Sequence, residues 1–227
     1  MANLIFDYDG TLHESLCIYA PAFRLGYSHL VMKGLAADKE FSDTEISHWL
    51  GFSAKDMWEG FMPELPQPER DLCSEIIGNE MSRLTQVGRA KLYPGSETVL
   101  QQLKAAGHSL IFLSNCKHSY MRAHREHFGL EQYFSTFYCT EDFNFAPKWQ
   151  IAEQVLAEVS GKCIVIGDRW QDIEIALRHQ LLSIGCAYGY CSADELKGAT
   201  IQVFSVEDIL DAVLYIDYIY DVIRKNL

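Results

Sequence analysis

Residues 163–172 read Cys163-Ile164-Val165-Ile166-Gly167-Asp168-Arg169-Trp170-Gln171-Asp172. The opening apolar run has the length of a strand buried on both faces and is too short for a buried helix. Asp168 ends it. Asp172 follows four residues later, on the first turn of a helix reading Asp172–His179, where the helix dipole favours a carboxylate. A buried strand that delivers an acid and passes into a helix is half of a βαβ unit.

The same texture recurs outward from this stretch. Leu4-Ile5-Phe6-Asp7-Tyr8-Asp9-Gly10-Thr11 is a second apolar run that stops at acids and a turn. After Pro94-Gly95, helices at Glu97–Ala106, His118–His127 and Lys148–Val159 alternate with strands at Ser109–Leu113, Thr136–Cys139 and Cys163–Ile166. Leu181–Ile184, Ile201–Phe204 and a last helix, Val206–Arg224, complete the series. Such alternation predicts an α/β fold: a doubly wound, Rossmann-like parallel sheet covered on both faces. One block breaks the rhythm. Ser15–Lys33, Asp43–Leu50, Ala54–Phe61 and Glu69–Gln86 all read as helices, separated by Gly34, Gly51 and the Pro63/Pro66/Pro68 cluster. The expected organisation is therefore a core of residues 1–13 and 89–227, with a helical domain, 14–88, inserted after the first strand. Trp49, Phe52, Trp58 and Phe61 are expected to form that insert's own core.

The 227 residues carry 31 acidic and 19 basic side chains, a formal charge of −12. That balance argues against a nucleic-acid binder, which needs a basic face, and against docking on an anionic membrane. Acids directly follow the first apolar run, so no secretory leader is expected. The apolar stretch Ala212–Ile223 is too short to span a bilayer and contains Asp217 and Asp221. Seven cysteines without a C-x-x-C pair read as reduced thiols of a cytoplasmic protein.

Four segments place polar groups at strand ends, where open α/β sheets bind ligands. Asp7 and Asp9 follow the first strand, and continued strand geometry would face both to one side. Ser114 and Asn115 follow the second, Lys148 opens a helix after Pro147, and Asp168 and Asp172 close the set. Paired carboxylates at buried strand ends are costly unless a cation compensates them, and a lysine beside them suits phosphoryl oxygens. Taken singly, each segment also reads as a cap, a turn or a surface residue.

In this order the segments resemble the haloacid dehalogenase superfamily, in its phosphatase branch and nearest to phosphoglycolate phosphatase-like members. The pattern is D-x-D-G-T, a strand-end Ser, a Lys, and G-D-x-x-x-D. Leu92-Tyr93-Pro94-Gly95, the stretch Gly129–Phe134 and the position of the helical insert, which matches that family's cap domain, extend the resemblance over nearly the whole chain. It implies a phosphatase acting on a small phosphate ester. Asp7 would be the nucleophile that becomes an aspartyl phosphate, and Asp9 the general acid and then base. Ser114, Asn115 through its backbone, and Lys148 would bind the phosphoryl group. Mg²⁺ would be held by Asp7, the backbone carbonyl of Asp9 and Asp168, with Asp172 in support. Four aspartates, Lys148 and Mg²⁺ leave one negative charge in excess, and a proton on Asp9, its pKa raised by neighbouring carboxylates, would cancel it.

Two departures from the family pattern stand out: Trp149 where proline is common, and His179-Gln180 where Ala-Gly is common. A phosphosugar mutase shares the first motif, and a catalytically dead binding module could use the same fold. His124 and His127 share a helical face but miss zinc-protease spacing and read as surface histidines. Arg24, Lys55 and Arg70 are candidate substrate contacts in the insert by charge alone.

Overall fold

A computed structural model describes residues 1–192 and 194–225. Strands β1 (Asn3–Phe6), β2 (Ser109–Ser114), β3 (Thr136–Cys139), β4 (Cys163–Gly167), β5 (Leu182–Cys186) and β6 (Ile201–Val203) form one sheet in the order β3-β2-β1-β4-β5-β6. Every neighbouring pair is parallel, with Phe6 level with Phe112 on one side and Ile166 on the other. The doubly wound sheet expected from the alternation is thus present. Strand ends differ from the sequence reading by a residue or two, the usual scatter at element boundaries.

Alternation along the strands sends side chains to two layers. Leu4, Phe6, Phe112, Ile164 and Ile166 pack with α5 (Ser96–Ala105) and α9 (Asp208–Lys225). Ile5, Ile111, Leu113 and Val165 pack instead with α7 (Lys148–Glu158) and α8 (Trp170–His179). Each such fully buried side chain contributes roughly 1.5–3 kcal/mol. The chain winds one way from β1 through β2 to β3 and the other way from β4 to β6. The crevice where the direction reverses lies at the carboxyl ends of β1 and β4, immediately before Asp7 and Asp168.

Between β1 and α5 lie four helices: α1 (Leu16–Met32), α2 (Asp43–Ser47), α3 (Ala54–Phe61) and α4 (Gln67–Gln86). A capping box between Ser42 and Glu45 starts α2, Ser53 caps α3, and proline opens α4. Phe23, Leu30, Ile46, Met57, Trp58, Cys73 and Ile77 bury a hydrophobic cluster of their own, with Trp49, Phe52 and Phe61 packed against it. Gly26 lets α1 and α4 approach closely, since a Cβ there would stand 2.8 Å from Ile77 Cγ1. Among the described residues, no helix is long and apolar enough to cross a membrane.

Helix α6 (His118–Phe128) corrects one reading. His124 is fully buried rather than on the surface. Its Nδ1 lies 2.8 Å from the Tyr8 hydroxyl and its Nε2 3.2 Å from Thr85 Oγ1 on α4. Both ring nitrogens have partners, so the imidazole joins the sheet to the helical block without leaving a polar atom unsatisfied.

Candidate active site

The sheet brings four of the expected side chains into direct contact or near it. Asp7 follows β1 and keeps its ladder bond, its N–H donating to Ile166 O at 2.8 Å. Lys148, the first residue of α7, reaches back so that Nζ donates to Asp7 Oδ1 at 2.5 Å and Asp172 Oδ1 at 2.7 Å. Asp172, at the third position of α8, also accepts the Arg169 N–H through Oδ2 at 3.1 Å. Asp168 accepts the Tyr190 N–H at 2.6 Å. All four charged side chains are buried.

Burial decides their protonation behaviour. It pushes Asp7 up to about 7, with the Asp172 charge adding to it and Lys148 opposing it. Asp168 is raised well above the ordinary carboxylate value, first by burial and then by Asp7 and Asp172. For Lys148 burial works the other way, but the two carboxylates outweigh it and hold the ammonium charged. One ammonium among three buried acids leaves uncompensated negative charge, the condition under which proteins recruit a cation.

The donor set fits Mg²⁺. Asp7, Asp168 and Asp172 each offer an oxygen within 4.8 Å of the others, and an all-oxygen set suits a hard divalent ion. Space is kept by glycines. Gly10 has φ +85°, and a Cβ there would fall 2.3 Å from Asp168 Oδ2; one on Gly189 would fall 2.4 Å from Asp168 Cβ. Ser114, at the end of β2, is buried. The side chain of Asn115 goes elsewhere, Nδ2 donating to Gly51 O at 2.9 Å.

Asp9 departs from the expected geometry. The strand stops at Phe6, and the Asp9 carboxylate does not join the grouped oxygens of Asp7, Asp168 and Asp172. Its Oδ1 lies 3.0 Å from His13 Nδ1, 2.6 Å from Ser15 Oγ and 2.6 Å from the Tyr120 hydroxyl. Burial alone would raise this carboxyl; His13, Ser15 and Tyr120 outweigh it and lower it to about 2. The raised pKa expected for Asp9 therefore belongs to Asp7, because three donors surround one carboxylate and two acids crowd the other.

Several site residues had no distinct signal in the sequence. His13 and Ser15 lie in a turn whose main chain folds back on Asp9, and Tyr120 comes from α6, far along the chain. Arg169 sits inside the quoted motif, yet its partners lie outside it. It is buried, pairs with Glu195 at 2.8 Å, and donates to the carbonyls of Leu50 and His48. Its guanidinium also lies 4.9 Å from the Phe52 ring centroid. Arg169 and Asn115 together hold the segment from His48 to Phe52 against the sheet. The two departures from the family pattern touch each other: His179 Nε2 donates to the Trp149 carbonyl at 2.8 Å, and Gln180 takes the left-handed φ of 55° that glycine adopts easily.

Known proteins resemble this chain in sequence and fold. A family profile described as haloacid dehalogenase-like hydrolase matches residues 4–186. A 5′-nucleotidase of Pseudomonas aeruginosa is 25% identical over 200 residues, 86% of each chain. A phosphoglycolate phosphatase of Psychrobacter arcticus is 25% identical over 98% of this chain and 97% of its own. In fold, the crystal structure of a predicted phosphatase from Clostridium acetobutylicum matches with a TM-score of 0.81 at 23% identity, covering 94% of this chain and 98% of that one.

Proposed function

The chain belongs to the haloacid dehalogenase-like hydrolase family, in its phosphatase branch, and from that premise we propose a Mg²⁺-dependent phosphatase that hydrolyses a small phosphate ester through an aspartyl phosphate on Asp7. The observation that carries this reading is the Asp7 carboxylate at the end of the central strand, 2.5 Å from Lys148 and grouped with Asp168 and Asp172.

Asp7, the backbone carbonyl of Asp9 and Asp168 would hold Mg²⁺, whose charge offsets that of the incoming phosphate. Lys148 Nζ and Ser114 Oγ orient the phosphoryl oxygens, and Asp172 fixes the lysine. An Asp7 oxygen then attacks phosphorus as the bond to the alcohol breaks. Asp9 gives its proton to the departing oxygen. The anionic form held by His13, Ser15 and Tyr120 accepts that proton when a phosphoryl dianion arrives beside it, since a like charge raises a carboxyl's pKa. In the second half Asp9 takes a proton from water, whose oxygen attacks phosphorus and releases Asp7.

Residues 14–88 act as a cap over this site, held by Arg169 and Asn115, and exclude bulk water during transfer. The 5′-nucleotidase and phosphoglycolate phosphatase relatives support phosphate-ester hydrolysis and differ in the alcohol released. The test is phosphate release from acetyl phosphate with and without Mg²⁺, for the native chain and Asp7→Asn. Magnesium-dependent turnover abolished by the substitution supports the reading; turnover indifferent to Asp7 refutes it.

A further inference from the structure

Beyond Asp9, between the sheet and the helical block, lies a cavity of about 230 Å³. Asp9 and Tyr120 stand on its core side, and Trp49, Phe52, Met57, Ile77 and Met81 supply apolar wall from the helices. The Trp49 and Phe52 rings lie 5.9 Å apart at 62°, both half-buried. Such a wall favours a flat apolar body over a chain of hydroxyls.

Charge narrows the choice further. The charged side chains lining the cavity are Asp9, Glu75 and Lys117, and the last two are exposed. The basic residues singled out by charge are engaged elsewhere. Arg24 pairs with Asp43 at 2.5 Å, Lys55 with Glu59 at 3.9 Å, and Arg70 donates to the Leu65 and Pro63 carbonyls. Arg169 is neutralised by Glu195. None of these four lines the cavity. A leaving group bearing a carboxylate would find no buried cation in this lining, the exposed Glu75 and Lys117 offsetting one another.

Resting on the phosphatase reading, we infer that the substrate is the phosphate monoester of an uncharged alcohol bearing a flat ring, with the ring against Trp49 and Phe52 and the ester oxygen at Asp9. The bond between phosphorus and the alcohol oxygen breaks, that oxygen takes the Asp9 proton, and water supplies the oxygen that stays on phosphorus. No redox partner is required. The apolar wall and the lack of a buried cation in it select against glycolate-type alcohols, even though these would fit by size.

The experiment compares kcat/KM of the full chain with Mg²⁺ for ring-bearing alkyl esters (benzyl phosphate, uridine and adenosine 5′-monophosphates) and for phosphoglycolate, with acetyl phosphate as a compact reference. The best ring-bearing ester is expected to exceed phosphoglycolate by at least about tenfold, the scale of one ring stacked on an aromatic side chain. Trp49→Ala should lower that ratio. Glu75→Arg, at an exposed position that does not test folding, should lower it by admitting the carboxylate. A preference for phosphoglycolate, or a ratio that neither substitution moves, overturns the inference while leaving the phosphatase reading in place. Failure to hydrolyse any compound, acetyl phosphate included, overturns both.

Discussion

Asp7 and Asp9 are separated by one residue, and their surroundings have opposite character. Asp7 lies among acids with a single lysine, and burial lifts its carboxyl to about 7. Asp9 lies among three donors that bring it down to about 2. The contrast lies in the partners: Asp7 is grouped with Asp168, Asp172 and Lys148, whereas Asp9 meets His13, Ser15 and Tyr120. Under the proposed mechanism the two equal carboxylates would do different work, Asp7 needing a cation beside it to attack as the anion and Asp9 carrying the proton.

Removing the Asp7 side of this contrast should have the largest effect. Asp7→Asn, or excess EDTA on the native chain, is expected to lower phosphate release by on the order of a thousandfold or more; residual turnover of even a tenth would break the comparison. Lys148→Met comes next. Among the described residues it strips the one ammonium in contact with Asp7 and Asp172, and losing one partner of a buried ion pair costs roughly 3–5 kcal/mol. Urea unfolding without metal should show the loss, and added Mg²⁺ should recover part of it.

On the Asp9 side the effects are smaller. Tyr120→Phe deletes one of three donors, and a hydrogen bond to a charged group is worth about 1.5–3 kcal/mol. We expect kcat to fall roughly tenfold with KM little changed, and stopped-assay kinetics will show whether the fall lies in kcat. The smallest expected effect concerns pH. Burial depresses His124 to about 3, helped by the nearby His13. A base with a depressed folded pKa stabilises the fold above its unfolded value near 6.5 and loses that contribution as pH falls toward 3. Thermal melts of the native chain should therefore decline through that window, and His124→Gln should flatten the decline. An unchanged acid limb would place the acid sensitivity in another group.

The strand ends were legible because burial writes itself into sequence: an apolar run that stops at Asp7, Ser114 or Asp168 has few alternatives. Lys148 and Asp172 were legible only through the ordered pattern that resembles the haloacid dehalogenase family, since alone they read as a surface lysine and a helix-start acid. The fate of Asp9 was not. Its orientation depends on one turn and on Tyr120, which lies 111 residues away. His124 was read as exposed because α6 is rich in charge, and only the fold shows that its inner face meets Tyr8. Arg169 was silent for another reason: it binds main-chain carbonyls, which every residue type carries. Arg24, Lys55 and Arg70 could be named from sequence by charge alone, because charge records no partner, and the structure pairs each of them away from the cavity.

The grip on the segment from His48 to Gly51 has a consequence for how new specificities arise. Arg169 and Asn115 hold it by its backbone oxygens, so these hydrogen bonds do not depend on which side chain stands at position 49. Trp49 can be recut as a key's tooth is while the shank still fits the lock, whereas Phe52 also meets the Arg169 guanidinium. Gly51 is the exception, with φ +85° and room for no Cβ beside Arg169. Under the proposed function, evolution toward a different alcohol would therefore find its more tolerant position at 49, beside one fixed hinge of the clasp, without a change in the residues that handle the phosphoryl group.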